Sequence, residues 1–539
     1  MSYYRRSKAV SIIENESLDY CIGQLLCPLL RRDSVSDSLD YALNVQKAGS
    51  VFIQNQSAEN VLALKEKIRR RAPDLLVAAD LVYGAGSQIV GATVFPQHLA
   101  MGACGDTQKV YELAKFTASE GRYYGINWTF SPVVDLLINP DNPCLNTRAF
   151  GERPEHVAAL GEAFVAGCQE GGLMAACAKH FPGDGVDDRD QHLCTTINSL
   201  SRTEWMQTFG YVWEKMISAQ VDSIMIGHLG LPWLDPGGDW RGPPPATISK
   251  PIITNLLRQE LGYDGLVVSD AMVMAGITGF IRRSRTAVEF IKAGGDIVLF
   301  CGAQDHQLLR EAVEKGEIEE QQVRRSASRV LRLKHKLGLT SKESAFNHAP
   351  PSTGDLALGK KLSREIASGA IKIVRNEKRL LPLSIEAKSQ VAIVNIGYES
   401  AKPGHDQGVF ENLLRDMGFE VEAWWNPGPS DINNLSAKAA IFLNIFVTGQ
   451  NKPLGTTRLS GKTMSWCFRS FLAEEIPVII TSFGCPYKIK EFPSAHTFIN
   501  AFSSGEESQR AVLELVFGKA QGQGRHPVSL KGFFHCEYY

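Results

Sequence analysis

Residues 173–192 read LMAACAKHFPGDGVDDRDQH, an apolar run of strand length that passes into a glycine-containing acidic loop. The run ends in two polar residues, Lys179 and His180. A short continuous apolar run that ends in turn residues is typical of a buried strand in a parallel sheet. In α/β barrels the chemistry collects where such strands end and the following loops begin. The stretch therefore predicts a βα unit whose loop carries functional residues.

The same alternation extends on both sides, from about residue 50 to about residue 340. Amphipathic segments, whose apolar residues recur at helical spacing, separate six further apolar runs. These runs are VFIQ at 51–54, LLVAADL at 75–81, INWTFSPVVDL at 126–136, DSIMIGHL at 222–229, GLVVSD at 265–270 and DIVLFC at 296–301. The eighth unit is either supplied by CIGQLLCPLL at 21–30 or too weak to recognise. The pattern predicts an α/β fold, a (β/α)8 barrel of the TIM type, with an open doubly wound sheet as the alternative.

A second domain is predicted after the barrel. Residues 341–360 are polar and rich in Ser, Pro and Gly, which indicates a linker. New strands are predicted at 391–397, 439–447, 478–484 and 496–503, with helical segments between them. We therefore expect a barrel domain over residues 1–340 and a smaller three-layer α/β sandwich domain, with a mostly parallel sheet, over residues 361–539.

Composition limits the classes of partner. The 539 residues exceed the ~250–300 at which one core usually stops growing. Lys and Arg number 57 against 58 Asp and Glu, so no global field attracts nucleic acid or an anionic membrane. The chain shows neither a secretory signal nor an apolar run near the ~20 residues that span a bilayer. The 11 cysteines form no C-x-x-C pair and indicate reduced core residues. We expect a cytoplasmic monomer or homodimer that binds neither nucleic acid nor membrane.

Polar residues close several of the predicted strands. Asp80, His228 and Asp270 stand at the ends of their apolar runs, as Lys179 and His180 do. Carboxylates, imidazoles and a lysine gathered at one barrel mouth can form strong hydrogen bonds with a ligand that has many hydroxyl groups. The strand ends therefore favour a substrate with many hydroxyl groups.

Several segments of the chain carry a resemblance to a known family. Residues 179–192 resemble the K-H-F-P-G-H-G…D-S-H loop of glycoside hydrolase family 3, in the branch typified by bacterial β-N-acetylglucosaminidases. The other matches in the barrel are Asn142-Pro143 with NTRAFG at 146–151, PATIS at 245–249 with LLRQELGYDG at 256–265, and VVSDAM at 267–272. Segments 364–383 and 524–530 are similar to the family's carboxy-terminal segments. The resemblance therefore runs over most of the chain.

The resemblance implies roles for particular residues. It makes Asp270 the catalytic nucleophile, His192 the general acid/base and Asp190 the carboxylate that orients His192. It also implies a set of residues that hold the sugar hydroxyls in the −1 subsite, namely Asp80, Arg148, Lys179, His180 and His228. These roles agree with general chemistry, because a retaining glycosidase needs a nucleophile and a group that first donates and then accepts a proton. An imidazole with a pKa near ~6.5 can do both near neutral pH.

Three positions depart from the family pattern. Asp184 and Gln191 stand where the family usually has His and Ser, and Asp80 is followed by LVYGAGSQ, which lacks the expected Arg. A carboxylate beside the subsite changes the local charge. We therefore expect that Asp184 affects which sugar or aglycone is preferred.

The predicted function is that of a retaining, exo-acting β-N-acetylglucosaminidase that acts on small cell-wall or chitin-derived glycosides with no metal or cofactor. The alternatives are a β-glucosidase or another β-glycosidase of the family, a β-glycoside phosphorylase and, more distantly, a non-catalytic sugar-binding protein. Family β-glucosidases resemble one another in taking the acid/base from a carboxylate in the second domain, so the Asp-x-His loop favours the first reading. A serine hydrolase built on Ser269 would lack the G-x-S-x-G elbow. The acidic loop matches neither a calcium-loop nor an H-E-x-x-H metal motif.

Overall fold

The computed structural model describes residues 13–340, 347–397, 408–432, 435–449, 454–468 and 476–538. Part of the predicted linker, residues 341–346, lies outside the described residues. The chain divides into two compact units. Unit 1 comprises Met1–Thr93, Val110–Asp135 and Gly161–Leu356, and unit 2 comprises Val94–Lys109, Leu136–Leu160 and Ala357–Tyr539. The predicted domain boundaries stay a prediction, and two segments of the barrel half of the sequence are counted with unit 2.

Eight parallel strands of unit 1 form a closed barrel. They are β1 (Leu26–Cys27), β2 (Ser50–Phe52), β3 (Leu76–Ala79), β4 (Trp128–Thr129), β5 (Ala175–Phe181), β6 (Ser223–Ile226), β7 (Leu266–Ser269) and β8 (Val298–Leu299). Strands β2 to β7 pair in sequence order, and β1 pairs with β8. Parallel bridges from Leu29 to Phe52 and from Val268 to Ile297 complete the ring. The predicted (β/α)8 barrel is confirmed, and CIGQLLCPLL at 21–30 contains the first strand.

Helices alternate with these strands. Every residue of the eight strands is buried, as expected for parallel strands that helices cover. Within the described residues the α-helices are α1 (Leu18–Gln24), α2 (Val35–Asn44), α3 (Ala58–Arg71), α4 (His98–Cys104), α5 (Thr107–Tyr123), α6 (Pro154–Gln169), α7 (Arg202–Trp205), α8 (Tyr211–Ser218), α9 (Ala275–Thr278), α10 (Arg283–Ala293), α11 (Asp305–Glu314), α12 (Glu320–Lys336), α13 (Thr353–Ala370), α14 (Val409–Asp416) and α15 (Glu506–Val516). Two π-helical segments, Met206–Gly210 and Pro251–Glu260, complete the helices after β5 and β6. Among the described residues, none of the helices has the length and hydropathy of a membrane-spanning segment.

Side-chain caps explain where some helices begin. The Ser57 hydroxyl accepts a hydrogen bond from the Asn60 N–H at 3.2 Å, which satisfies a free donor of the first turn of α3. Ser201 and Glu204 form a reciprocal capping box at the start of α7. These local signals fix the helix starts that follow β2 and β5.

The barrel interior is filled by side chains. The indole of Trp128 donates a hydrogen bond to Ser223 Oγ at 2.8 Å, across from β4 to β6. The Trp128 ring packs edge-on against Phe130, and Phe130 stacks on Phe52 with ring centroids 5.4 Å apart. Because the interior is a packed core, substrate chemistry in such a barrel is confined to its end.

Unit 2 contains a six-stranded sheet. Its strands are β9 (Lys372–Asn376), β10 (Gln390–Gly397), β11 (Glu420–Trp425), β12 (Ala440–Phe446), β13 (Val478–Ser482) and β14 (Thr497–Asn500). Their order is β9-β14-β13-β12-β10-β11, and only the pairing of β9 with β14 is antiparallel. Apolar residues of α14 and α15 pack on buried residues of these strands. The four predicted strands and the mostly parallel α/β sheet are confirmed, whereas β9 and β11 were not predicted.

The second half of the predicted linker is helical. Helix α13 begins at Thr353, inside the predicted range 341–360. Ser352 Oγ accepts a hydrogen bond from the Asp355 N–H at 3.1 Å, and Asp355 Oδ2 accepts one from the Ser352 N–H at 2.9 Å. This reciprocal cap starts the helix and explains why a polar segment with Ser and Gly does not remain a loop.

Candidate active site

The carboxyl ends of the barrel strands carry a group of ionisable side chains. Asp80 directly follows β3, and Asp270 directly follows β7. Lys179 and His180 are among the last three residues of β5. Asp135 follows β4 after a short buried segment. All eight strands are parallel, so these residues lie at the same end of the barrel, where α/β barrels place their chemistry.

Asp270 is a nearly buried carboxylate surrounded by histidines. Its side chain is 14% exposed, and its Oδ2 lies 3.9 Å from Nε2 of His180. Its Oδ1 accepts a hydrogen bond from the Ala271 N–H at 2.7 Å. Burial raises the pKa of Asp270, but His180, His228 and His192 together outweigh it and hold that pKa below its ordinary value. The carboxylate is therefore ionised at neutral pH, which is the state in which a carboxylate is nucleophilic.

A second buried carboxylate, Asp135, orients His180. The imidazole Nδ1–H of His180 donates to Asp135 Oδ2 at 2.6 Å, and the His180 N–H lies 3.1 Å from both carboxylate oxygens. With Nδ1 bound in this way, Nε2 is the ring nitrogen on the side of Asp270. Asp135 was not predicted, although it closes the apolar run INWTFSPVVDL as Asp80 and Asp270 close theirs. That position was the signal that could have identified it.

Lys179 and Asp80 form an ion pair between the ends of β5 and β3, the strands on either side of β4. Lys179 Nζ lies 2.6 Å from Asp80 Oδ1. The Lys179 side chain is only 3% exposed, whereas that of Asp80 is 37% exposed. The lysine thus holds a carboxylate that faces solvent, and such a carboxylate can accept hydrogen bonds from ligand hydroxyl groups.

The loop after β5 presents His192 and Asp190 as a hydrogen-bonded pair. Nδ1–H of His192 donates to Asp190 Oδ1 at 2.7 Å, and the His192 N–H donates to the same oxygen at 2.9 Å. The Asp190 side chain is fully buried and that of His192 is 28% exposed. The bond fixes the tautomer and ring orientation so that Nε2 is the nitrogen that can exchange a proton with a ligand.

His228 lies beside Asp270 but is enclosed by protein. It is fully buried, its Nε2–H donates to the Ala271 carbonyl at 3.0 Å, and Nδ1 accepts from the Thr247 hydroxyl at 3.0 Å. Burial lowers the pKa of His228, so the ring is neutral at neutral pH. These contacts support the backbone next to Asp270. The expected contact of His228 with a sugar stays a prediction.

Arg148 belongs to unit 2, where it contacts Cys144 and His98. Its Nη1 donates to the Cys144 carbonyl at 3.3 Å, and its own carbonyl lies 2.9 Å from Nδ1 of His98. The expected role of Arg148 in holding a sugar stays a prediction.

A carboxylate of the acidic loop, Asp187, forms contacts with other residues of the segment after β5. Asp187 forms a 2.5 Å ion pair with Arg189 and accepts a hydrogen bond from the Ile197 N–H at 2.7 Å. Burial raises the pKa of Asp187, but these donors outweigh it and leave the pKa lowered. The loop after β5 is therefore held together by internal ion pairs and hydrogen bonds.

The arrangement suits a two-step displacement at a carbon atom. An ionised carboxylate, Asp270, stands at the barrel end with an oriented imidazole, His192, on the loop of the same unit. The ion pair of Asp80 and Lys179 adds polar groups for hydroxyl recognition. A nucleophile together with an acid/base that acts in both directions is the combination that retaining glycosidases require.

Comparison with known proteins identifies the family. Residues 17–333 match the family described as glycosyl hydrolase family 3 N terminal domain. The chain is 32% identical over 533 residues to a β-N-acetylglucosaminidase/β-glucosidase of Cellulomonas fimi, covering 95% of this chain and 93% of the relative.

Two solved structures share the architecture of both units. A β-glucoside phosphorylase bound to 2FGlc superposes with a TM-score of 0.88 at 27% identity, covering 98% of this chain and 97% of the other. A β-N-acetylglucosaminidase from Paenibacillus sp. strain FPU-7 gives a TM-score of 0.85 at 26% identity, covering 96% and 99%. Together with the barrel, the Asp270 carboxylate and the pair of His192 and Asp190, these matches show that the chain is a glycosidase of glycosyl hydrolase family 3.

Proposed function

We propose that the chain is a retaining, exo-acting β-N-acetylglucosaminidase that removes terminal β-GlcNAc from small cell-wall or chitin-derived glycosides. The observation that carries the proposal is the 2.7 Å hydrogen bond between His192 and Asp190 on the barrel loop. In this family a barrel-loop imidazole is the feature that separates N-acetylglucosaminidases from the typical β-glucosidases. The names of the Cellulomonas fimi relative and of the Paenibacillus structure support the same substrate class.

In the first step, an Asp270 oxygen attacks the anomeric carbon while the glycosidic C–O bond breaks. The proton on His192 Nε2 passes to the leaving oxygen, and the Asp190 carboxylate stabilises the imidazolium before the transfer. The sugar is then esterified to Asp270. In the second step, neutral His192 accepts a proton from water, the water oxygen bonds to the anomeric carbon, and Asp270 leaves as a carboxylate. Two inversions give net retention.

Two further side chains, Asp80 and His180, would bind the sugar. The exposed carboxylate of Asp80, held by Lys179, offers acceptors for hydroxyl hydrogens. Nε2 of His180, 3.9 Å from Asp270, stands where it can reach a hydroxyl next to the anomeric carbon. Charged groups bind hydroxyls more strongly than neutral ones do, which suits tight recognition of a terminal sugar.

A panel of matched nitrophenyl β-glycosides tests the proposal. Release of nitrophenol would be compared for β-GlcNAc, β-glucoside, β-xyloside and β-glucosaminide substrates at one pH. We expect the highest kcat/KM for β-GlcNAc. Preference for another sugar would contradict the N-acetylglucosaminidase assignment, and no turnover of any of the four would contradict the assignment of a catalytic role.

A phosphorylase is the second candidate, favoured by the chemistry of the acid/base. After the first step His192 is neutral, whereas a carboxylate in that place would repel an incoming phosphate. The similar structure named as a β-glucoside phosphorylase is in line with this candidate. Adding phosphate to the same assay distinguishes the two. A phosphate-dependent rate with a sugar 1-phosphate product would support the phosphorylase.

A further inference from the structure

We propose that Asp184 and Gln191 act together as positioning residues that hold His192 and Asp190 in their working place at the barrel end. The inference rests on the proposed function of His192 as the acid/base. It concerns the two loop positions that depart from the pattern K-H-F-P-G-H-G…D-S-H.

The side chain of Gln191 bridges two segments. Its Nε2 donates to Asp184 Oδ2 at 3.2 Å, and its Oε1 accepts a hydrogen bond from the His228 N–H at 3.0 Å. Asp184 and Gln191 are 3% and 1% exposed, so water competes little for these bonds. Because Gln191 stands between Asp190 and His192, the bridge ties the catalytic pair both to the start of its own loop and to the end of β6.

Asp184 is itself fixed on the barrel. Its N–H donates to Asp135 Oδ1 at 2.7 Å, and its Oδ1 accepts from the Gly185 N–H at 2.6 Å. Asp135 also binds the imidazole of His180. A continuous set of hydrogen bonds therefore runs from His180, the histidine nearest the Asp270 carboxylate, through Asp135 and Asp184 to Gln191.

Backbone contacts enclose Gln191 from the other side. Its carbonyl accepts a hydrogen bond from the Gly276 N–H at 3.1 Å, and the His192 carbonyl accepts one from the Ala275 N–H at 3.1 Å. A Cβ at Gly276 would lie 2.4 Å from the Gln191 carbonyl oxygen and 2.9 Å from Cβ of His228. Only glycine lets the segment after β7 come this close. The loop is thus held between the ends of β6 and β7.

The two departures from the family pattern are in direct contact in this chain. Serine has a single hydroxyl on Cβ and is too short to reach Asp184 and the His228 N–H from position 191. The longer glutamine amide supplies a donor for one and an acceptor for the other. Asp184 supplies the matching acceptor. The pair therefore pre-organises the loop, so that His192 does not have to be ordered when the substrate binds.

The test uses Gln191→Met, which keeps the length of the side chain and removes both hydrogen bonds. Without the bridge, Nε2 of His192 is displaced from the leaving oxygen for part of the time. General acid catalysis is worth about 10²–10⁴-fold, so we expect kcat/KM for methyl β-GlcNAc to fall about 10- to 100-fold. We expect a change of less than about threefold for nitrophenyl β-GlcNAc, whose leaving group needs little protonation. Hydrogen exchange in residues 182–195 should become faster.

Two matched variants control the interpretation. Asp188→Asn changes an exposed carboxylate of the same loop and should leave both rates unchanged. Asp184→Asn keeps an oxygen that can accept from Gln191 and should lose less activity on methyl β-GlcNAc than Asp184→Ala does. This rescue by the conservative variant is not expected from a general loss of stability.

Equal losses on the two substrates in Gln191→Met, or no loss on either, would overturn the inference. The activity of the wild-type chain tests the proposed function itself. A wild-type chain that cleaves neither substrate would refute the acid/base role of His192. In that case unchanged hydrogen exchange in Gln191→Met would still refute the claim that Gln191 holds the loop. The two failures are therefore distinguishable.

Discussion

Nδ1 of His192 lies 2.7 Å from Oδ1 of Asp190, and the carboxylate of this pair is buried while the imidazole reaches solvent. The geometry resembles the use of a carboxylate to orient an imidazole in hydrolases with unrelated folds. The negative charge of Asp190, beside the Nδ1–H group of His192, fixes the tautomer and stabilises the imidazolium. The pair thereby gives one side chain both the proton to donate and the capacity to take it back.

Asp190→Asn should impair proton transfer without removing the imidazole. The amide carries no charge and can stabilise the wrong tautomer of His192, so we expect kcat/KM for methyl β-GlcNAc to fall by about 10²–10⁴-fold. The loss for nitrophenyl β-GlcNAc should be much smaller, and His192→Ala should show the same contrast. Steady-state kinetics with both substrates check this. Equal losses on the two substrates would exclude His192 as the general acid.

His180→Gln should move the acidic limb of the pH profile to higher pH. Burial raises the pKa of Asp270, and His180 is the largest of the opposing influences that bring it below its ordinary value. Removing His180 therefore raises the pKa of Asp270. Since only the carboxylate can attack, activity should be lost at a higher pH as the medium is acidified. The measurement is kcat/KM against pH for nitrophenyl β-GlcNAc in both proteins, and a limb that stays in place or moves down would contradict the assignment.

The ion pair of Lys179 and Asp80 should contribute to stability as well as binding. Asp80→Ala leaves the ammonium group of Lys179 buried with no carboxylate beside it, so we expect the free energy of unfolding to fall by about 1–3 kcal/mol. The double variant Asp80→Leu with Lys179→Met should regain much of that stability but none of the activity. Urea denaturation and nitrophenyl assays measure the two effects. A double variant as unstable as Asp80→Ala would show that the buried charge is not the cause.

His526 in unit 2 should make stability fall in mild acid. Burial and the nearby Lys372 lower the pKa of His526 to about 4, from an ordinary value of 6.5. Between these values the unfolded chain binds a proton that the folded chain does not, so the free energy of unfolding decreases as the pH falls from about 6.5 to about 4. His526→Phe keeps the ring that stacks on Phe534 and should flatten this dependence. An unchanged slope in denaturation experiments would contradict the prediction.

The fold was predictable because its strands are buried on both faces. Each apolar run predicted in the barrel overlaps a barrel strand, and CIGQLLCPLL at 21–30 contains the first of them. Strand β11 was not predicted because it lies at the edge of its sheet and is half exposed, with Glu420 and Glu422 facing outward. The start of α13 depends on a cap between Ser352 and Asp355, a single local interaction that the Ser- and Gly-rich composition conceals.

The catalytic candidates could be predicted from the sequence motif and the strand ends, but the residues that hold them in place could not. Asp135 stands at the end of an apolar run, but it follows a strand of only two residues through an irregular buried segment, and the sequence does not show that it binds His180. The sequence shows that Asp184 and Gln191 depart from the family pattern. Their contact with each other depends on how a loop of several residues returns to the barrel, which spacing alone does not determine.

Trapping the covalent intermediate tests the central claim most directly. A 2-deoxy-2-fluoro β-glycoside with a dinitrophenyl leaving group slows both steps, while the good leaving group keeps the first step fast enough for the glycosyl-enzyme to accumulate. After digestion, mass spectrometry should find the sugar on Asp270 in the wild-type chain and no label in Asp270→Ala, which should also lose turnover by at least about 10⁴-fold. A label on another carboxylate, or full activity in Asp270→Ala, would contradict the account.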